Sequence, residues 1–115
     1  MRRTKKDLDE FAEHCRYYLG LMCLTNIETE FVLTNDPDCE AAVEVYPSST
    51  KFMLSRLPGP SPRSLKYLAL HECTHRLMAD VVRIGCNRWA RGEEMETAAE
   101  ALTVNITEMF WNLDL

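Results

Sequence analysis

The stretch from 61 to 85, SPRSLKYLALHECTHRLMADVVRIG, decides the fold of this chain. Its apolar residues recur every three or four positions, which predicts one long amphipathic helix. Ser61 and Pro62 are typical of a helix start, and Gly85 is typical of a helix end. The apolar stripe comprises Tyr67, Leu70, Thr74, Leu77, Val81 and Ile84, with Leu68, Met78 and Val82 beside it. So wide an apolar arc predicts a central, buried helix.

The same helix carries the segment His-Glu-Cys-Thr-His at positions 71 to 75. Histidines four positions apart project from one helix face, so the imidazoles of His71 and His75 can reach one metal ion. Glu72 points about 100° away, so it misses the ion but can reach a water bound to it. Zn²⁺ lowers the pKa of such a water towards 7, and a carboxylate can then take its proton. The segment therefore predicts Zn²⁺ on His71 and His75 with Glu72 as general base. Core or interface histidines without a metal are the alternative.

A catalytic zinc site needs a third protein ligand and an open position for water. No histidine follows His75, which excludes the longer HExxHxxGxxH arrangement, and the better candidates are the glutamates at the start of the last helix. Glu96 borders the apolar side of the last predicted helix and is the predicted third ligand. Glu93 and Glu94 are alternatives, although acidic residues in a first helical turn are already explained by the helix dipole. Glu100, one turn beyond Glu96, suits a carboxylate that orients a ligand histidine, and an ordinary solvated glutamate is the equal alternative.

Shorter elements flank the central helix. Thr4 and Asp7 are typical of a helix N-cap, and the amphipathic helix that follows reaches about Leu19. Segments 27–33, 42–46 and 51–55 are rich in β-branched and aromatic residues and are separated by turns, which predicts three short strands. The last helix is predicted to turn one apolar stripe to the core. That stripe comprises Met95, Ala99, Leu102, Ile106 and Met109.

These elements predict an α+β fold in which three main helices pack on a small antiparallel β-sheet, with the metal between the second and third helices. The 115 residues suffice for one domain, over 1–115, and not for two. A net charge of −5 argues against nucleic acid or an anionic membrane as the main partner. No apolar stretch is long enough to span a membrane. The five cysteines are scattered and form no CxxC pair, which is typical of reduced thiols in a cytoplasmic protein.

The HECTH segment, with Glu96 on a following helix, resembles the gluzincin branch of the zincin metallopeptidases. Thermolysin-like members have a glutamate with an acidic residue four positions on, as Glu96 and Glu100 stand here. The layout as a whole is similar to the minimal zincins, among them ImmA/IrrE-type proteins and the HExxH proteins of phages and mobile elements. The motif match covers about residues 65 to 106, and the match of the sheet is only topological.

The resemblance implies a zinc-dependent peptidase that binds a peptide or protein substrate in a cleft beside the sheet edge, in the host cytoplasm if a phage encodes it. One departure weakens the catalytic half of this prediction, because no downstream histidine is present to stabilise an oxyanion. Tyr46, Tyr67, Arg91 or a tyrosine of the first helix would have to take that role. The alternative is a non-catalytic zincin-fold interaction or regulatory protein with a structural zinc.

Overall fold

The structure is a computed structural model that describes residues 1–88 and 92–115, without the side chains of residues 84–88. These residues form α1 (Lys5–Leu21), β1 (Glu28–Thr34), β2 (Ala41–Val45), β3 (Ser49–Ser55), α2 (Leu65–Arg88) and α3 (Gly92–Asn112). The predicted α+β architecture of three helices and a small sheet is confirmed. The predicted N-cap of α1 is confirmed as well, since the backbone N–H of Thr4 donates to the Asp7 carboxylate at 2.7 Å.

The sheet is mixed rather than wholly antiparallel, which corrects the prediction. Its strand order is β1-β3-β2. β2 and β3 form an antiparallel hairpin, whereas β1 pairs with β3 in parallel. Because β2 runs back along the sheet, β3 returns in the direction of β1 and can lie beside it. Thr50, Phe52 and Leu54 of β3 are all buried, and the central position protects both edges of this most buried strand.

One face of the sheet packs against the helices. Phe31 of β1 pairs with Phe52 of β3, and their rings stack with centroids 5.3 Å apart. The core combines residues of α1, the sheet and α2: Leu8, Phe11, Cys15, Tyr18, Leu19, Ala41, Phe52, Leu54, Leu68, Ala69, Leu70 and Cys73. None of the helices within residues 1–88 and 92–115 has both the length and the apolar character that a membrane span requires.

Helix α2 is central, as predicted, but both of its predicted ends are wrong. It begins at Leu65 rather than Pro62, because the hydroxyl of Ser64 accepts the N–H of Tyr67 at 3.2 Å and so acts as the cap. The helix continues past Gly85 to Arg88. A glycine ends a helix when it takes a positive φ, and no glycine in the described part of the chain does so.

The predicted inward stripe of α3 is wrong for two of its residues. Leu102 is 44% exposed and Met109 is 51% exposed. The fully buried positions are instead Thr103 and Thr107, and the Thr107 hydroxyl donates to the Thr103 carbonyl at 2.7 Å. Helix α3 packs against α2, and the burial of the two threonines puts this contact on their side of α3. Relative to the prediction, α3 is rotated about its axis, and its apolar stripe lies beside the contact. Helical periodicity alone does not show which of two adjacent faces is buried.

Candidate metal centre

Two imidazoles of α2 converge at the floor of a cleft. His71 and His75 lie one helical turn apart, both half-buried, and their Nε2 atoms are 3.1 Å apart. Zn–N bonds of 2.0–2.1 Å in a tetrahedral site put two ligand atoms about 3.4 Å apart, so this spacing suits one zinc ion. The same distance also suits a hydrogen bond in which one ring donates to the other. A third group near the two imidazoles helps to distinguish a metal site from a hydrogen bond between the rings.

That third group is the carboxylate of Glu100, which α3 brings across the cleft. One oxygen lies 3.3 Å from His75 Nε2, and the other lies 3.8 Å from His71 Nε2. Two imidazoles and one carboxylate thus face the same point, where the 3.1 Å and 3.3 Å separations suit a tetrahedral ion and the 3.8 Å separation is longer. The donor set of nitrogen and carboxylate oxygen is also one that zinc accepts.

Glu72 lies beside this point and is buried. Its carboxylate and the ligand nitrogens of His71 and His75 all lie within 4.8 Å of one another. Burial, and to a lesser extent the nearby charge of Glu100, raises the pKa of Glu72 to about 7. A carboxyl group with a pKa near neutrality can both accept and release a proton, which is what a general base in hydrolysis does.

The surroundings also favour a neutral imidazole at His71. Burial lowers the pKa of His71, and the neighbouring charge of His75 lowers it further, while Glu100 acts in the opposite direction. Neutral imidazole is the form that binds a metal ion, because its ring nitrogen then has a free lone pair. The His71, Glu72 and His75 cluster can therefore hold a metal ion.

The cleft above the metal centre has a volume of about 1020 Å³. Its floor is α2, one wall is α3, and the other wall is β2, which is an edge strand of the sheet. The Ser55 N–H donates to the Glu40 carbonyl at 2.8 Å, so the even-numbered residues of β2 bond to β3. The backbone groups of the odd-numbered residues, Ala41, Val43 and Val45, point outward along the cleft. One of these groups, the Ala41 carbonyl, already accepts a hydrogen bond from the Cys39 thiol at 2.7 Å.

The structure separates the carboxylates that the sequence offered as ligands. Glu100, predicted to orient a histidine, is the one that approaches both rings. Glu96, the predicted third ligand, is exposed and lines the same cleft one turn away, and its role stays a prediction. Glu93 and Glu94 are exposed in the first turn of α3. Helical spacing of four residues puts Glu96 and Glu100 on one face, so the sequence could not distinguish them.

Of the predicted oxyanion-stabilising candidates, Tyr67 lines the cleft, with its ring 6.4 Å from the ring of His71. Its hydroxyl donates to Glu108 at 2.8 Å. Tyr46 lines a different pocket, and Arg91 lies outside the described residues. The tyrosines of α1 are elsewhere too, since the Tyr18 hydroxyl donates to the carbonyl of Leu115 and the neighbouring Tyr17 ring packs against the Tyr18 ring.

Sequence reasoning missed two cationic side chains that line the cleft, Arg63 and Arg83. The Arg63 guanidinium lies over the Tyr67 ring at 4.3 Å from its centroid and also lines the cleft. The only sequence signal was its spacing, four positions before Tyr67, in a segment whose helical start was misplaced.

No family model, curated protein or solved structure matches this chain. The site's own geometry therefore carries the functional argument: a His-Glu-x-x-His triad whose side chains are close together in a cleft.

Proposed function

We propose that this chain is a zinc-dependent peptidase of minimal zincin type, with His71, His75 and Glu100 as zinc ligands and Glu72 as general base. The observation that carries the proposal is the position of Glu72. It is buried, it has a pKa of about 7, and it lies within 4.8 Å of two converging imidazoles at the floor of an open cleft. A structural metal site has no need of a buried carboxyl group with that pKa in addition to its three ligands.

In the proposed hydrolysis, the zinc ion and the side chains of the protein have different roles. A zinc ion held by His71, His75 and Glu100 would polarise a carbonyl and lower the pKa of a bound water. Glu72 takes the proton of the attacking water and delivers it to the leaving nitrogen, and a pKa near 7 suits both transfers. Arg63, just before α2, and Tyr67 line the cleft on the N-terminal side of His71 and are the proposed partners of a developing oxyanion.

The substrate class follows from the edge strand. Val43 and Val45 carry outward backbone groups beside the metal centre, and an extended peptide can pair with them as an added strand. Main-chain pairing positions a carbonyl without regard to side chains, so peptides and unfolded protein segments are the proposed substrates.

A second candidate function is a non-catalytic binding protein with a structural zinc. The Tyr67 hydroxyl favours it, because that hydroxyl already donates to Glu108 and is not free to donate to an oxyanion. Loss of one oxyanion donor costs about 3 kcal/mol of transition-state stabilisation in hydrolases. In this case the edge strand would bind a peptide segment without cutting it.

The decisive experiment compares the zinc-loaded natural chain with the Glu72→Gln variant, which keeps the size of the side chain. We expect one equivalent of zinc in both proteins by elemental analysis. Cleavage of an unfolded protein substrate, followed by mass spectrometry, should fall at least about 100-fold in the variant. Zinc in both proteins with equal or no cleavage would favour the binding protein. Absence of zinc from the natural chain would eliminate both candidates.

A further inference from the structure

The outer flank of α3 carries several exposed apolar side chains. Leu102, Met109 and Leu113 are 44%, 51% and 62% exposed, and Met95 and Ile106 beside them are half-buried. At 100° per residue the four side chains within α3 form one stripe on the flank opposite to Glu100, and Leu113 follows directly after the end of the helix. The stripe is therefore separate from the metal centre. A continuous apolar stripe of this kind is typical of an interaction surface.

The flank is also uncharged. From Thr97 to Thr107 the only ionisable residue is Glu100, whose carboxylate is directed to the histidines. The chain carries a net charge of −5, so two copies repel each other over most of their surfaces. An identical neutral flank is a surface that a second copy can approach without bringing like charges together. An anionic membrane surface is a poor match, because the flank offers no lysine or arginine.

The stripe is symmetric in sequence about Leu102. Met95 stands seven residues before it and Met109 seven residues after it, while Ala98 and Ile106 stand four before and four after. In an antiparallel pair of identical helices with a two-fold axis at Leu102, each Met95 meets Met109 of the second copy. Each Ile106 meets the small Ala98, so large side chains oppose small ones. Seven-residue spacing is also the repeat by which two helices keep one seam in contact.

We propose that α3 pairs with α3 of a second copy of this chain, antiparallel about a two-fold axis through Leu102. A seam from residue 95 to 109 is about 21 Å long and about 10 Å wide. That contact is about a quarter of the roughly 800 Å² per partner of a standard interface, so weak association is expected, with a dissociation constant of about 100 µM. This assembly is independent of whether the metal centre is catalytic.

Sedimentation equilibrium from about 1 µM to about 500 µM in about 0.15 M salt tests the proposal. The mass should rise from that of the 13.3 kDa chain towards twice that value. Leu102→Glu places two carboxylates on the axis and should weaken association at least about 100-fold. Leu21→Glu is the matched control, because Leu21 is also 44% exposed but lies on α1. If the natural chain stays monomeric over the whole concentration range, something other than a second copy covers this flank and the proposal is overturned.

A charge-swap pair tests the axis itself. Leu102→Glu and Leu102→Lys should each be monomeric alone and should associate when mixed, since residue 102 faces itself only in this arrangement. Thermal melts of each variant at low concentration establish that it is folded. Dimers of Leu102→Glu alone, failure of the two folded variants to associate, or equal weakening by Leu21→Glu would each refute the antiparallel pairing.

Discussion

Helices α2 and α3 both line the candidate metal centre, yet the fold holds them very differently. In α2 every residue from Leu68 to Arg76 except the two histidines is buried, and the Arg76 Nε donates to the Thr50 hydroxyl of the sheet at 2.9 Å. In α3 the only fully buried side chains are two threonines among the described residues. Packing alone therefore positions His71 and His75, whereas Glu100 depends on a helix with little core of its own. A metal ion would join the well-packed part of the site to the weakly packed part.

The largest expected effect comes from matched truncations on the two helices. Leu70→Ala removes a fully buried side chain of α2 and should lower the free energy of unfolding by about 2–5 kcal/mol. Leu102→Ala removes a half-exposed side chain of α3 and should change it by no more than about 0.5 kcal/mol. Urea unfolding of both variants, at a concentration where the chain is monomeric, makes the comparison. Equal losses would show that α3 is as firmly packed as α2.

Zinc binding should reduce the difference in hydrogen-exchange protection between α2 and α3. Free zinc at 100 times its dissociation constant should stabilise the folded chain by about 2.7 kcal/mol, because the ligands come together only in the folded state. Hydrogen exchange should show the main gain of protection in α3, since α2 is already buried without the ion. Chelation with confirmed metal removal reverses both effects. A uniform gain over α2 and α3 would contradict the proposed weak attachment of α3.

The next effect concerns which carboxylate of α3 binds the zinc ion. Glu100→Ala should weaken zinc binding at least about 100-fold, which corresponds to about 2.7 kcal/mol, because it removes a group lying 3.3 Å from His75 Nε2. Glu96→Ala, one turn away on the same helix face, is the matched control and should weaken binding less than about tenfold. Competition with a chromophoric chelator measures both affinities. The reverse order of the two variants would restore Glu96 as the ligand.

The smallest effect concerns the contact between the helices. Thr103 Oγ1 is buried and has no hydrogen-bond partner among the described residues, whereas the Thr107 hydroxyl donates to a carbonyl. Thr103→Val keeps the shape and removes the unpaired hydroxyl, so it should stabilise the fold by about 1 kcal/mol. Thr107→Val removes a satisfied hydroxyl and should stabilise it less or not at all. Urea unfolding distinguishes the two; a destabilised Thr103→Val would indicate a partner for that hydroxyl.

The sequence by itself determined the features that depend on near neighbours in the chain. The spacing of His71 and His75 on one helix follows from the helical repeat, and so does the separate direction of Glu72. The Thr4 cap, the three strands and the α+β class also follow from local patterns of residues. Each of these features would arise in any fold that keeps those segments helical or extended.

Only the tertiary structure decided the features that depend on how elements meet. The parallel pairing of β1 with β3 puts the most buried strand at the centre of the sheet, which no local pattern encodes. The position of α3 along its own axis brought Glu100 rather than Glu96 to the imidazoles, and its rotation about that axis left Leu102 exposed. A helical repeat lists the residues of each face, but the partner helix selects the face that is buried. For this chain that selection positions the third candidate ligand and leaves the uncharged apolar flank open.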